Sequence, residues 1–343
     1  MITYSLRMLI SLSLIVSLVI SFPSFAQPTR SVTHITGDLY RGQNNNHFNL
    51  ILVTEEGIII TDPLNKGYSE WLKEELDARF GVPVRYVLYS HHHWDHVSGG
   101  AVFADTAQFV GHENMLSYLE MPPPSTTLSQ TIGQYAPVAA LDANGDDRIQ
   151  QSEASDLNSF TSFDADGNGE LSGAEVMRGP VSDVYPPNIT YSQKAVITLA
   201  GKEAQMNWAG TMNHSMDMSV ITFPAENAMQ VVDFITFRRL PYREMDFEEG
   251  MFEEWMAAII RWESIAEDYD YISPGHGPVG TVQDIRDWRL YFEALRDAVA
   301  AGIAAGQSLE EMRANITIEE YSDWAGYSWL NENVLGMYHF LTD

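Results

Sequence analysis

Six consecutive residues, His91-His92-His93-Trp94-Asp95-His96, concentrate the metal-binding chemistry of this chain. Their order is His-x-His-x-Asp-His, and they follow the apolar run Val84–Tyr89 after a single Ser90. In an extended or tightly turning segment residues two apart point the same way, so His91 and His93 can grip one ion while Asp95 and His96 face a second position. Imidazole and carboxylate together suit zinc, and a donor set short of four protein ligands leaves a position for water. The plain alternative is a solvated run of histidines. The chain has no Cys, which removes disulfides, thiolate nucleophiles, iron–sulfur clusters and Cys-ligated zinc, and leaves His and carboxylates as the strong ligands.

A second chemistry lies in an acidic stretch bracketed by Met121-Pro122-Pro123-Pro124 and Tyr185-Pro186-Pro187. Two segments there, Asp142–Glu153 and Asp164–Glu175, fit the twelve-residue calcium loop of an EF-hand. Side-chain oxygens at positions 1, 3 and 5 come from Asp142, Asn144 and Asp146 in the first and from Asp164, Asp166 and Asn168 in the second. Backbone carbonyls come from Arg148 and Glu170, and the closing carboxylates from Glu153 and Glu175. Gly169 sits at the sharp turn of the second loop, where the first has Asp147 and pays strain for a positive φ, so the first site is expected to be weaker. One or two Ca²⁺ ions are expected, at an affinity of about 10⁻⁴–10⁻³ M for an exported protein. An acidic linker is the alternative, and a protein partner for this segment stays open.

The elements around these motifs indicate an α/β layer fold. Phe48–Val53 and Gly57–Thr61 read as a hairpin of buried strands joined by Glu55-Glu56. Ser69 can cap a helix carrying Leu72, Leu76 and Phe80, stopped by Gly81 and Pro83, and Val84–Tyr89 is a core strand. Strand, helix and strand in that order give the layered class. Strand-like runs resume at Ala195–Leu199, Ser219–Phe223 and Met229–Ile235. After Gly250 the chain turns mainly helical, with a capping box at Ser308 and Glu311.

On these motifs the chain resembles the metallo-β-lactamase superfamily of metallohydrolases, over most of the sequence outside 125–185. Asp62, closing the Ile58–Thr61 strand, matches the first motif, and His91, His93, Asp95 and His96 match the second. His214 in Asn213-His214-Ser215-Met216-Asp217 matches the third, Asp233 the fourth, and His276 in Ser273-Pro274-Gly275-His276-Gly277-Pro278 the fifth. Without 125–185, the spacing from His96 to His214 is ordinary for that family. The resemblance implies an αββα sandwich and two zinc ions, the first held by His91, His93 and His214, the second by Asp95, His96 and His276, with Asp233 bridging. Asp62 and Asp95 are the catalytic carboxylates it implies, Asp62 acting mainly by accepting a hydrogen bond that orients a ligand. The implied reaction is hydrolysis, by zinc-activated hydroxide, of an ester, lactone, thioester or related small-molecule substrate.

Asp233 stands where true β-lactamases of this fold have Cys or Ser, which disfavours β-lactam hydrolysis. An iron-dependent persulfide dioxygenase is a further alternative, and a catalytically inactive calcium-dependent binding protein is the rival class. His92 reads as a neighbour of the site. His47 and His112 read as structural, or as contacts to substrate or ligands. Arg238-Arg239-Leu240-Pro241-Tyr242-Arg243 either receives an acidic substrate group or pairs with Glu248 and Glu249 as a solvated loop.

Composition bounds the setting. A formal charge of −28 on 343 residues repels phosphate backbones and anionic lipid surfaces, so nucleic acid is an unexpected partner. Residues 1–26 read as a secretory signal, with Arg7 before an apolar Met8–Ile20 and small residues at Ser24-Phe25-Ala26. The expected product is periplasmic or secreted, without a membrane anchor once cleaved. Its hydrolase domain comprises 27–124 and 186–343 with C-terminal helices, and residues 125–185 form an inserted EF-hand pair.

Overall fold

Ile58, Ile59 and Ile60 are all completely buried, so the strand they form must be covered on both faces. The computed structural model describes residues 28–210, 214–243, 245 and 252–342. The expected leader at 1–26, Asn213, Glu248 and Glu249 lie outside the described residues.

Among the described residues, β1 (Arg30–Thr36), β2 (Leu39–Asn44), β3 (His47–Thr54), β4 (Gly57–Thr61), β5 (Val84–Leu88) and β6 (Gln108–His112) run in that order across one sheet. The strands β7 (Arg148–Gln150) and β8 (Glu170–Ser172) pair with each other, and β9 (Ile189–Tyr191) joins the first sheet beside β6. A second sheet takes β10 (Lys194–Leu199), β11 (Lys202–Trp208), β12 (Ser219–Phe223), β13 (Ala228–Val232) and β14 (Tyr271–Pro274) in chain order. The pairs β4–β5, β5–β6, β6–β9 and β13–β14 are parallel.

The helices are α1 (Lys66–Phe80), α2 (Trp94–Val97) and α3 (Met115–Leu119), then α4 (Ala136–Ala139), α5 (Phe160–Phe163) and α6 (Gly173–Arg178), then α7 (Phe252–Ala266), α8 (Val282–Ala304), α9 (Leu309–Asn315) and α10 (Leu330–Thr342). Strand alternation sorts the core into layers. Leu50, Leu52 and Ile59 pack between the sheets against Ala204, Met206 and Ile221, whereas Ile51, Ile58 and Ile60 lie under α1 against Tyr68, Leu72 and Leu76. On the outer face of the second sheet, Val220, Met229 and Val231 meet Trp255 and Ile259 of α7 and Phe292 of α8. The layers are therefore helix, sheet, sheet, helix, as the sequence led us to expect.

Local differences have local causes. The cap of α1 lies four residues before the expected one: Asn65 accepts from the Tyr68 amide, while the Ser69 hydroxyl donates to the Pro63 carbonyl from inside the helix. The strand expected at 229–235 ends at Val232, whose φ of +45° turns the chain. Gly81 does end α1, in the left-handed conformation, and Ser308 with Glu311 forms the expected capping box. Segment 125–185 has a small core of its own, with Ile149 of β7 opposite Leu171 of β8 and Phe160 and Phe163 beside them. Its last residues belong to the main body, since Val181 and Val184 pack under α1 and the Tyr89 hydroxyl donates to the Tyr185 carbonyl at 2.7 Å. Among the described residues no helix is long and apolar enough to cross a membrane.

Candidate metal centre

The donor side chains sit where strands end. Asp62 follows β4, His91 and His93 follow β5, Asp233 follows β13 and His276 follows β14, at the carboxyl ends of the two parallel pairs. One turn of helix, α2, carries Asp95 and His96, and His214 lies in the connection from β11 to β12.

These side chains form two groups. His91, His93 and His214 offer ligand atoms that all lie within 4.8 Å of one another, and Asp95, His96, Asp233 and His276 do the same. Asp233 joins the groups: its Oδ2 is 3.2 Å from His96 Nε2 and 3.8 Å from His214 Nε2, and its Oδ1 is 3.4 Å from His276 Nε2. The structure thus brings together all seven residues that the resemblance assigns to the two metal positions.

Their electrostatics favour a cation. Burial and the neighbouring imidazoles hold His91 and His93 well below the usual histidine value, and burial lowers His214, so these three present neutral rings. For His96 and His276 burial opposes the charged form, but the surrounding carboxylates, Asp233 foremost with Asp95, together outweigh it and raise both. Burial would raise Asp233, yet His276 and His96 bring it well below the usual carboxylate range. His96 and a hydrogen bond with His47 likewise outweigh burial at Asp95 and lower it. His93 Nε2 is buried with no hydrogen-bond partner among the described residues, and His91 and His214 turn their Nε2 atoms toward each other at 3.3 Å. Three imidazoles whose ligand atoms converge on one point can share a metal ion there, so the residues present fit the expected ligand set.

Buried supports hold the donors. Asp62, completely buried, accepts from the Ser90 amide and the Ser90 hydroxyl, each at 2.8 Å, and the same hydroxyl lies 2.9 Å from His91 Nδ1. Asp62 Oδ2 is also 3.6 Å from His96 Nδ1. Arg41 stacks on Phe48 with its guanidinium carbon 3.6 Å from the ring centroid and donates to the Ser273 hydroxyl and the Gly277 carbonyl, which fixes the turn bearing His276. Burial brings its pKa down to about 10. Gly275 is required for close approach, because a Cβ there would lie 2.6 Å from Asp233 Oδ1 and 2.8 Å from His96 Cε1. Neither Ser90 nor Arg41 declares its role in the sequence, where the only signal is that Ser90 directly precedes the histidines.

The remaining histidines separate. His92 stacks on Tyr118, with ring centroids 3.8 Å apart, and its Nδ1 faces Asp217 Oδ1 at 3.1 Å, which ties the His91–His93 turn to the His214 segment. His47 reaches the centre, with Nε2 3.3 Å from Asp95 Oδ2 and its ring centroid 4.5 Å from that of His276. His112 does not take part; its Nε2 bonds the Ser192 carbonyl and its ring stacks on Trp208. Asp95, His214, Asp233 and His276 open onto a cavity of about 260 Å³ whose other walls include Arg239, Leu240, Pro241, Trp255 and Trp288.

Away from this centre, Asp164, Asp166 and Glu175 form a third group of converging carboxylates. Glu175 accepts from the Ala165 and Ser172 amides, and Glu153 from Ala143, Asn144 and Gln150, so the two loops close in the same way. Asp142, Asn144 and Asp146, like Asp164, Asp166 and Asn168, accept backbone amides of their own loops. Arg148 and Glu170 take the opposed ends of the β7–β8 pair. Asp147 does adopt a φ of +64°.

Comparison with known proteins gives the architecture. The family model described as "Metallo-beta-lactamase superfamily" matches residues 47–173. The stereoselective inverting sec-alkylsulfatase Pisa1 from Pseudomonas sp. superposes with a TM-score of 0.60 at 15% identity, covering 90% of this chain and 50% of that one. A metallo-beta-lactamase from Pontibacter korlensis gives 0.50 at 16% identity over 75% of this chain and 96% of its own. The DIM-1 metallo-beta-lactamase gives 0.51 at 11% over 77% and 97%. No curated protein matches the sequence. At these identities the solved structures speak for the fold alone, a metallo-β-lactamase sandwich.

Proposed function

We propose that the metallo-beta-lactamase superfamily domain of this chain is a dinuclear zinc hydrolase acting on an ester, lactone, thioester or related small molecule. The observation that carries this reading is that two donor groups meet at Asp233 and open onto one largely apolar cavity. His91, His93 and His214 would hold one ion and Asp95, His96 and His276 the other, with Asp233 between them. Bound there, zinc supplies the Lewis acidity that makes water nucleophilic near neutral pH and steadies negative charge on the substrate.

The chain's own residues do the rest. Burial keeps the His91, His93 and His214 lone pairs free of protons. Asp62 acts through Ser90 on the orientation of His91, and Arg41 holds the His276 turn. Asp95, kept ionised by His96 and the hydrogen bond with His47, would help hold the second ion, and His47, 3.3 Å from its Oδ2, orients that carboxylate. Trp255, Trp288 and Leu240 exclude bulk water from the cavity. Sulfate esters are the second reading, favoured by an alkylsulfatase likeness that extends further along this chain than the lactamase likenesses do.

Residues 125–185 are proposed to be a calcium-binding EF-hand pair, supported by the matched loops, the β7–β8 pairing and the convergence of Asp164, Asp166 and Glu175. The leader-like residues 1–26 and the acidic charge support an exported protein that acts on small molecules and leaves nucleic acid alone. The test is metal content together with turnover of lactones, thioesters, carboxylesters, phosphodiesters, β-lactams and sulfate esters by the zinc-restored protein. Two zinc ions and turnover of one class are expected. One equivalent of iron with oxygen consumption would indicate a persulfide dioxygenase, and little metal with no turnover would indicate an inactive calcium-dependent binding protein.

A further inference from the structure

We propose that Arg239 is an anion-binding group of the cavity and that the substrate is a small amphipathic organic anion, an apolar body carrying a carboxylate or similar oxyanion apart from the bond that is hydrolysed. The substrate class rests on the hydrolase reading of the same cavity; the anion subsite does not.

Three arginines follow the β13 turn, and the structure separates them. The Arg238 guanidinium pairs with Asp323 at 2.5 Å on the exposed surface, and that of Arg243 lies against Tyr242. Arg239 is half-buried, lines the cavity shared with Asp95, His214, Asp233 and His276, and has no carboxylate partner among the described residues. Its guanidinium carbon lies 5.1 Å from the centroid of the Trp329 ring, a contact that steadies a cation without neutralising it.

The backbone that carries Arg239 is held from several sides. Its carbonyl accepts from Trp288 Nε1 at 3.1 Å, the Leu240 amide donates to the Ala325 carbonyl at 2.9 Å, and the Ala325 amide donates to Arg238 at 3.0 Å. The completely buried Asn333 of α10 donates to the carbonyls of Pro241 and Arg243, and its Oδ1 accepts from the Tyr291 hydroxyl. A guanidinium is charged at every working pH and presents a planar fork that matches an oxyanion, and a partly desolvated one gains most from a ligand that brings the missing charge. In a chain of net charge −28, such a cation in a cavity is a local exception to the surface field. Leu240, Pro241, Trp255 and Trp288 supply the apolar walls, and about 260 Å³ restricts the body to a small molecule.

The test is calorimetric titration of the full-length protein with its metals, using hexanoate and 1-hexanol as probes. Hexanoate is expected to bind at least about 10-fold more tightly than hexanol, and Arg239→Gln to remove that preference. No hexanoate binding to the wild type, or hexanoate binding that Arg239→Gln leaves unchanged, overturns the proposal. Turnover of mono-4-nitrophenyl succinate and of 4-nitrophenyl butyrate supplies the second readout. In Arg239→Gln the succinate-to-butyrate ratio of kcat/KM should fall about 10-fold or more, mainly through KM. An unchanged ratio overturns the substrate class. Failure of the wild type to turn over either ester, with hexanoate binding still dependent on Arg239, counts against the hydrolase reading and leaves the anion subsite standing.

Discussion

Asp62→Asn is expected to separate the stability of the fold from the strength of the metal centre. The wild-type carboxylate accepts from both the amide and the hydroxyl of Ser90. With its proton committed to Asp62, the Ser90 oxygen accepts from His91 Nδ1–H, and the lone pair of His91 is left on Nε2, the atom facing His214. An asparagine can still accept from the Ser90 amide, but it places an NH₂ donor toward the Ser90 oxygen. That oxygen must then donate to His91 Nδ1, which moves the ring proton to Nε2. Asn also tolerates the φ of +28° at this position, whereas Ala would add backbone strain.

Removing both acceptors with Asp62→Ala leaves two buried donors unpaired, and at roughly 1.5–3 kcal/mol for each bond to a charged group the cost is about 3–6 kcal/mol. Asp62→Asn should cost less than half of that and still weaken zinc binding at the His91 position about 10–100-fold. Urea unfolding gives the stabilities, and competition with a chromophoric chelator gives the affinities. Wild-type zinc affinity in a folded Asp62→Asn protein would refute the relay through Ser90.

Asp233→Ala should loosen both metal positions and abolish turnover, because Asp233 alone approaches His96, His276 and His214; two tightly held zinc ions at wild-type rates would sink the dinuclear assignment. Carbapenem and penicillin hydrolysis, followed by absorbance, should be feeble beside the best ester, lactone or thioester, since Asp233 occupies the place where the resembled lactamases have Cys or Ser. Calcium at 100 times its dissociation constant should raise the stability of segment 125–185 by about 2.7 kcal/mol, measured as a melting shift, with Glu175→Ala losing most of the gain and Glu153→Ala less. Removing 125–180, which keeps Val181, Val184 and Tyr185 in the main core, should leave zinc content unchanged; loss of zinc from a folded deletion protein would show that the segment supports the metal centre.

Features that depend on neighbours along the chain can be read from the residues alone. His91, His93, Asp95 and His96 are legible because one turn of backbone sets their directions. The two acidic loops are legible because nearly every contact within them spans ten residues or fewer. The isoleucine run of β4 and the Gly81 stop of α1 are equally local. Matching His214, Asp233 and His276 needed the family resemblance, since no local rule links residues so far apart.

Which candidates meet depends instead on how the layers pack. Ser69 resembles a helix cap in sequence, but the chain turns at Pro63 and hands that role to Asn65. His47 and His112 look alike as isolated histidines. The β2–β3 turn carries His47 to Asp95, while the β6–β9 pairing commits His112 to the Ser192 carbonyl. Arg238, Arg239 and Arg243 share one short loop; contacts from Trp288, Ala325 and Asn333 hold its backbone, and of the three arginines Arg239 is the one that lines the cavity. Such choices follow from packing between elements far apart in the chain, where a side chain's partner is set by the layer that covers it and by which polar groups remain unpaired once the sheets close.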